Sequence, residues 1–148
     1  MIAGSLLYLA ASKNEPVLKP DEENLAGSFF DEVFFTVLFL AVIFTIKTRP
    51  PTSDGVLQAL CVCVTLSLCV VYGGKISGAC YNPAVGIAMS FWAAFSKQDK
   101  RYLKYTSFYI MAPIIGGLIA GALVRFFTNR KDEVVERNDE EDVPLKSK

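Results

Sequence analysis

The chain has 148 residues, of which 52% are hydrophobic and only 20% charged, and its 15 basic and 15 acidic residues give a net charge of zero. A soluble domain of this size usually carries more charge, so the composition favours a membrane protein with a single domain. The charge balance gives no reason to expect nucleic-acid binding. The chain has no histidine, the commonest metal ligand and general base, so we expect no metal, no cofactor and no enzymatic activity.

The N-terminal part divides into a short apolar segment and a polar loop. Residues 1–12, MIAGSLLYLAAS, are apolar like the core of a signal peptide, but no basic segment precedes them. We therefore interpret residues 1–12 as the end of a transmembrane helix. Residues 13–24 contain two prolines and several charges, which is typical of a polar loop.

Three segments are apolar and long enough to cross a membrane. We predict transmembrane helices at residues 25–47, 56–74 and 105–127, because a spanning helix needs about 20 apolar residues. The polar residues 48–55 and 97–104 are then connecting loops. The charged residues 128–148 predict a disordered tail, whose composition fits either a solubilising role or a docking motif.

The segment 75–96 has a different pattern. It carries no charge from Ile76 to Ser96, but Asn82-Pro83 lies in its middle, and proline fits the first turn of a helix rather than its interior. A helix that starts at Pro83 and reaches Phe95 has about twelve residues and spans roughly 18 Å, about half a bilayer. We therefore predict a loop that enters the membrane and returns as a half-helix. Irregular backbone at that depth indicates a pore or a substrate cavity.

Neither the cysteines nor the basic residues form an informative pattern. The spacing of the four cysteines fits neither a zinc site nor a disulfide framework, and we interpret them as small packing residues: Cys61, Cys63, Cys69 and Cys80. The basic residues divide evenly between the two predicted sides of the membrane, so the positive-inside rule gives no orientation. The long charged tail leads us to expect a cytoplasmic C-terminus.

The sequence ISGACYNPAVG, residues 76–86, resembles the signature loop of the major intrinsic protein family, the aquaporins and glycerol facilitators. Glu32 and Thr36 are spaced like a pair in the family's fourth helix, and Pro113 with the glycines after it is similar to its sixth helix. Residues 1–12 resemble the end of the third. The resemblance implies an all-α membrane protein with three transmembrane helices plus a re-entrant half-helix, the second half of the aquaporin fold.

The resemblance also implies a role for each residue of the signature. The tip of the half-helix would consist of Asn82, Pro83 and Ala84. Its positive N-terminus would disfavour cations and protons, while neutral solutes pass. Backbone carbonyls would form a ladder of acceptors for the solute at Gly78, Ala79, Cys80 and Tyr81.

The pair on the first long helix would support this loop from behind. By resemblance, Glu32 accepts hydrogen bonds from backbone N–H groups of the loop, and Thr36 lies on the same helix face. A buried carboxylate costs several kcal/mol unless it is hydrogen-bonded, which gives such a contact a physical basis. The alternative is that Glu32 simply lies at the membrane interface, near the start of a helix.

The selectivity filter departs from the family pattern at two positions. The family usually has an arginine directly after its second Asn-Pro-Ala, and water-selective members carry a histidine twelve residues before the asparagine. Here these positions are Val85 and Val70, and with Ala79 they would form a wider, more apolar filter that favours glycerol or urea. Lys75 could supply a substitute charge. Valine after Asn-Pro-Ala is more typical of the family's first signature loop, whereas the Pro113 helix favours the second.

These features predict a passive transmembrane channel for water and/or small uncharged solutes in a lipid bilayer, with the homotetramer typical of the family. The family pore needs two inverted halves, and the sequence contains one signature loop. We therefore expect an incomplete half-channel whose N-terminal half is missing or supplied by another chain. The alternative is a non-conducting membrane subunit that assembles with full-length channels and modulates them.

Overall fold

The computed structural model describes residues 18–48, 50–96 and 100–141. These residues form four α-helices, namely α1 (Leu25–Thr48), α2 (Gly55–Gly73), α3 (Pro83–Ser96) and α4 (Thr106–Glu141), with a short 3-10 helix, Lys100–Leu103, before α4. No strand occurs in the described residues, and the predicted all-α class is confirmed. The helix end predicted at residues 1–12 lies outside them.

Three helical segments are long and apolar enough to cross a membrane. They are Leu25–Thr48, Gly55–Gly73 and Lys100–Arg130. Helix α3 has only 14 residues, which span roughly 21 Å and fall short of a hydrocarbon core of about 30 Å.

Three of the helices begin with an N-cap, in which a side-chain oxygen accepts a hydrogen bond from a backbone N–H group of the first turn. Asn24 Oδ1 accepts from the N–H of Gly27 at 2.9 Å, and Asp54 Oδ1 from that of Val56 at 2.8 Å. Asn82 Oδ1 accepts from the N–H of Ala84 at 3.0 Å. Such caps satisfy N–H groups that have no partner within the helix, and this explains why α3 starts directly after Asn82.

Helices α1 and α4 run in the same direction and pack closely through glycines of α4. A Cβ atom added at Gly116 would lie 2.8 Å from both the Val33 carbonyl oxygen and Thr36 Cβ, and one at Gly121 would lie 3.9 Å from Phe44. Small residues at such positions allow close backbone approach between membrane helices. Higher-numbered residues of α1 contact higher-numbered residues of α4, so the two helices run in the same direction.

Helix α2 returns antiparallel to α1. Cys69 contacts the Phe35 carbonyl through its Sγ at 3.9 Å, while Gly73, one turn later, lies beside Asp31. Helix α3 packs on α4 and on the 3-10 helix. The α2–α3 loop, residues 74–82, therefore lies where α1 begins and close to the start of α4.

Helix α4 continues beyond the boundary predicted from hydropathy. The sequence predicts a span that ends at residue 127 and a disordered tail, but the helix reaches Glu141. Extending an existing helix needs no new nucleation, and no glycine or proline occurs between Gly121 and Pro144. The backbone therefore stays helical after the apolar residues end.

Candidate functional site

The α2–α3 loop has an unusual backbone. Gly78 has a φ of +91°, and two residues with side chains also have positive φ, Ala79 at +57° and Tyr81 at +50°. This left-handed conformation costs about 1–2 kcal/mol for each residue other than glycine. Such a conformation persists only where the surroundings hold it, so the contacts of the loop decide its shape.

The carboxylate of Glu32 holds the loop from α1. Its Oε1 accepts hydrogen bonds from Ser77 Oγ at 2.7 Å and from the N–H of Cys80 at 2.8 Å. Its Oε2 accepts one from the N–H of Tyr81 at 2.8 Å. Glu32 is fully buried, and hydrogen bonds to a buried carboxylate are about twice as strong as neutral ones. They therefore offset the strain of the two left-handed residues.

Ser77 and Tyr109 extend this network to α4. Ser77 Oγ accepts a hydrogen bond from the N–H of Ala79 at 3.2 Å, and the Tyr109 hydroxyl donates to the Ser77 carbonyl at 2.6 Å. Both residues are fully buried, and sequence reasoning assigned neither of them to the support of the loop. A tyrosine within an apolar helix was the one available signal, because a buried hydroxyl usually needs a partner.

Tyr81 fastens the loop back onto α2. Its hydroxyl donates to the Cys69 carbonyl at 2.9 Å, and its ring lies 5.8 Å from that of Phe35. A Cβ atom at Gly73 would collide with this hydroxyl. The glycine at the end of α2 is therefore required by the position of Tyr81.

The start of the loop is tied to the polar segment before α1. Ser28 Oγ donates to the Ile76 carbonyl at 2.8 Å, and the N–H of Asp21 donates to the same carbonyl at 3.0 Å. Ser28 is fully buried. Four separate parts of the chain, namely the segment before α1, α1 itself, α2 and α4, thus hold the loop.

The Asn-Pro-Ala residues lie at the exposed tip of α3. Asn82 and Ala84 are exposed, and Pro83 is half-buried. Behind them, a Cβ atom at Gly86 would lie 2.6 Å from Tyr109 Cβ, so α3 approaches α4 closely at this point. Cys80 Sγ lies 3.1 Å from the Asn82 carbonyl oxygen, which joins the loop to the cap.

The predicted filter residues divide between two places. Val70 and Ala79 both adjoin Gly74, since the Gly74 N–H donates to the Val70 carbonyl at 3.0 Å and a Cβ atom at Gly74 would lie 3.8 Å from Ala79 Cβ. Val85 lies in the first turn of α3 and is half-buried. Lys75 is exposed at the start of the loop.

Thr36 differs in surroundings from its predicted partner Glu32. It is fully buried but lies against Gly116 of α4. Among the described residues, none forms a hydrogen bond with its Oγ1. Thr36 therefore contributes to the packing of α1 on α4 rather than to the hydrogen bonds of the loop.

The cysteines are free thiols, with Cys69 and Cys80 buried and Cys61 and Cys63 exposed. Among the side chains that the structure describes, those of residues 18–48, 50–95 and 100–130, no group of three or more potential ligands is placed to hold a metal ion. The polar groups gathered at the loop include hydroxyls, backbone groups and the Glu32 carboxylate, which accepts three hydrogen bonds. A second carboxylate, that of Asp31, lies beside Gly73 at the end of α2.

Comparison with known proteins agrees with this architecture. The family profile described as Major intrinsic protein matches residues 2–139. The chain is 26% identical to Aquaporin NIP2-1 of Arabidopsis thaliana over 133 residues, which cover 83% of this chain and 43% of that protein. It is 26% identical to Aquaporin-8 of Rattus norvegicus over 107 residues, which cover 72% of this chain and 38% of that protein.

The chain thus spans about two fifths of the length of these curated relatives. No solved structure matches it at a significant level. The family profile nonetheless covers nearly the whole chain, and three segments are long and apolar enough to cross a membrane. The chain is therefore an integral, multi-pass membrane protein that belongs to the major intrinsic protein family.

Proposed function

We propose that the chain forms half of a passive channel for water and/or small uncharged solutes such as glycerol and urea. The observation that carries this proposal is that the Glu32 carboxylate accepts hydrogen bonds from the N–H groups of Cys80 and Tyr81. In a trans peptide the carbonyl points away from the N–H, so the carbonyls of Ala79 and Cys80 point away from Glu32. With those of Gly78 and Tyr81, they are the acceptors that would replace the water lost by a passing solute.

The tip of α3 supports the same proposal. Because Asn82 Oδ1 already accepts the hydrogen bond of the cap, the NH₂ group is the part of its amide that has no partner within the cap and would donate to a solute. The N-terminus of α3 adds about half a positive charge, which disfavours cations. Ala84 is small and exposed, and it would allow close contact with the tip of a second, inverted half-helix. That half-helix would come from another part of a longer protein or from another chain, in a tetrameric assembly.

The proposed filter is apolar. Val70, Ala79 and Val85 offer no side-chain hydrogen bonds, so the filter would be wide and poorly selective for water. Val85→Arg is expected to lower the flux of glycerol relative to that of water, because arginine fills space and binds water. Stopped-flow light scattering of vesicles that contain the assembled channel measures both fluxes. An unchanged ratio would mean that Val85 does not line the filter.

A second candidate is a non-conducting subunit that binds full-length relatives and modulates them. The exposure of α2 favours it, since large apolar side chains such as Val56, Val71 and Tyr72 are 67–68% exposed and available to a partner. Osmotic swelling is measured in vesicles that contain this chain alone and in vesicles that contain it together with a full-length relative; the comparison separates a pore formed by copies of this chain from the modulator. Swelling above that of empty vesicles supports a pore formed by this chain. Swelling that changes only when a full-length relative is added supports the modulator.

We further propose that the charged C-terminal tail faces the cytoplasm. The parallel direction of α1 and α4 would then put the connection between α1 and α2 on the same side. Protease digestion of sealed membrane vesicles, oriented with the cytoplasmic side inward, tests this proposal. A cytoplasmic tail would be protected until the membrane is broken, whereas a tail on the opposite side would be removed from intact vesicles.

A further inference from the structure

A groove lies between α1 and α4 at the end of the bundle opposite the α2–α3 loop. It forms a cavity of about 370 Å³. We call it the Lys47–Arg125 groove, and it is lined by Phe44, Lys47, Thr48, Gly121, Val124, Arg125, Thr128 and Asn129. Because α1 and α4 run in parallel, the last turn of α1 and the middle of α4 meet there.

The lining of the groove combines positive charge with an apolar floor. Lys47 and Arg125 are both exposed, and none of the described lining residues is acidic. Gly121 lies opposite the ring of Phe44, and its lack of a side chain keeps the floor open. Asn129 adds an amide donor at the outer end. Such a lining suits a ligand with a negatively charged, acceptor-rich head and an apolar body.

The position of the groove corresponds to the membrane surface. Lys47 lies in the last turn of α1, where the apolar span ends. On α4, Phe126 and Phe127 are 55% and 66% exposed, and the Arg130 guanidinium lies 5.5 Å from the Phe126 ring centre. Aromatic and basic side chains together are typical of the interface between hydrocarbon and headgroups. An interfacial position of these residues would place the two cations of the groove at the depth of lipid phosphates.

A second, larger cavity adjoins the groove. It measures about 670 Å³ and shares Thr48, Val124 and Thr128 with it. Its other lining residues are mostly apolar, namely Ala41, Thr45, Pro50, Pro51, Leu123 and Phe127. Thr48, Val124 and Thr128 line both cavities, so a mostly apolar cavity lies next to the charged groove.

We propose that the Lys47–Arg125 groove binds an anionic phospholipid of the surrounding bilayer. Lys47 and Arg125 contact the phosphate, and the acyl chains lie along Phe44, Gly121 and the adjoining apolar cavity. Basic pockets between transmembrane helices provide the charge that such headgroups require, and guanidinium groups match phosphate oxygens in geometry. The proposal does not depend on whether the chain conducts solutes.

Native mass spectrometry of the full chain, in detergent with equal amounts of palmitoyl-oleoyl phosphatidylglycerol and phosphatidylcholine, tests the proposal. We expect the chain to retain phosphatidylglycerol, the anionic lipid, in preference to phosphatidylcholine. Lys47→Gln together with Arg125→Gln should lower this retention about thirtyfold, which corresponds to about 1 kcal/mol for each basic side chain near an anionic surface. Lys47→Arg together with Arg125→Lys keeps both charges and should retain the lipid.

The matched control removes the same charge at the opposite end of the bundle, through Lys75→Gln together with Arg101→Gln, and should leave retention unchanged. An equal loss in the control would overturn the proposal, since binding would then follow net charge alone. Equal retention of the two lipids would also overturn it. Displacement of the lipid by an equal concentration of glycerol phosphate would assign the groove to soluble anions instead. Circular dichroism checks that each variant keeps its helices.

Discussion

The α2–α3 loop and helix α2 are neighbours in a nearly uncharged part of the sequence, yet they depend on different surroundings. In the loop, Ser77, Cys80 and Tyr81 are buried and bonded to α1, α2 or α4. In α2, by contrast, Leu60 and Val64 are 52% and 56% exposed. The irregular segment is therefore specified by polar partners within the chain, whereas the regular helix depends on what covers its apolar face, lipid or protein.

The largest expected effect comes from removing the carboxylate that holds the loop. Glu32→Ala leaves the buried N–H groups of Cys80 and Tyr81 without an acceptor, and we expect the free energy of unfolding to fall by about 3–5 kcal/mol. Denaturation with sodium dodecyl sulfate, followed by circular dichroism, measures the change. Glu23→Gln is the control, because Glu23 is exposed. Equal stability of the two variants would show that the loop does not depend on Glu32.

The second effect concerns the contact between α3 and α4. A methyl group at Gly86 would lie 2.6 Å from Tyr109 Cβ and 3.1 Å from its carbonyl oxygen, so Gly86→Ala should push the half-helix outward and cost about 1–3 kcal/mol. Gly55→Ala is the matched control, since no atom lies within 4 Å of the added Cβ. We expect the control to be neutral or slightly stabilising in the same assay. A stable Gly86 variant would mean that α3 can move away from α4 without cost.

A smaller effect is expected from the hydroxyl that joins α4 to the loop. Tyr109→Phe removes the hydrogen bond to the Ser77 carbonyl and leaves a buried acceptor unpaired, which should cost about 1–2 kcal/mol. Tyr72→Phe makes the same chemical change at a side chain that is 67% exposed and should have no measurable effect. If both variants unfold alike, the Tyr109 hydroxyl contributes nothing to the loop.

The smallest effect is expected on the exposed face of α2. Leu60→Ala, tested in vesicles that contain this chain alone, should change stability by less than about 0.5 kcal/mol, because lipid tails are as apolar as leucine. A loss of about 2 kcal/mol or more, the cost of truncating a packed leucine, would mean that this face is covered by protein. The same variant measured with an added partner chain would then locate the covering surface.

The fold class could be predicted from the sequence because its causes are local. Uncharged apolar length predicts membrane helices, and the geometry of proline predicts a helix start at Pro83. The continuation of α4 to Glu141 could not be predicted in this way, because a charged composition fits a disordered tail as well as an exposed helix.

The candidate site could be predicted only in part from the sequence. Glu32 was assigned to the loop through resemblance, since nothing in the spacing of the sequence pairs it with residues 45–49 positions away. Ser77, Tyr109 and Ser28 were missed because their hydrogen bonds join distant segments. The left-handed backbone of Ala79 and Tyr81 was equally hidden, because neither residue type favours it. Thr36 could not be separated from Glu32, since both lie on one helix face and only the position of Gly116 distinguishes them.

The arrangement of Glu32 and the loop has a consequence for anions. Neighbouring residues of left- and right-handed conformation turn successive N–H groups toward one point, a concavity known as a nest, which commonly binds phosphates and other anions. In this chain two successive N–H groups, those of Cys80 and Tyr81, donate to the protein's own Glu32 carboxylate. The N–H groups that could bind an anion are therefore already occupied by a carboxylate of the same chain, and they are not available to a negatively charged molecule outside it.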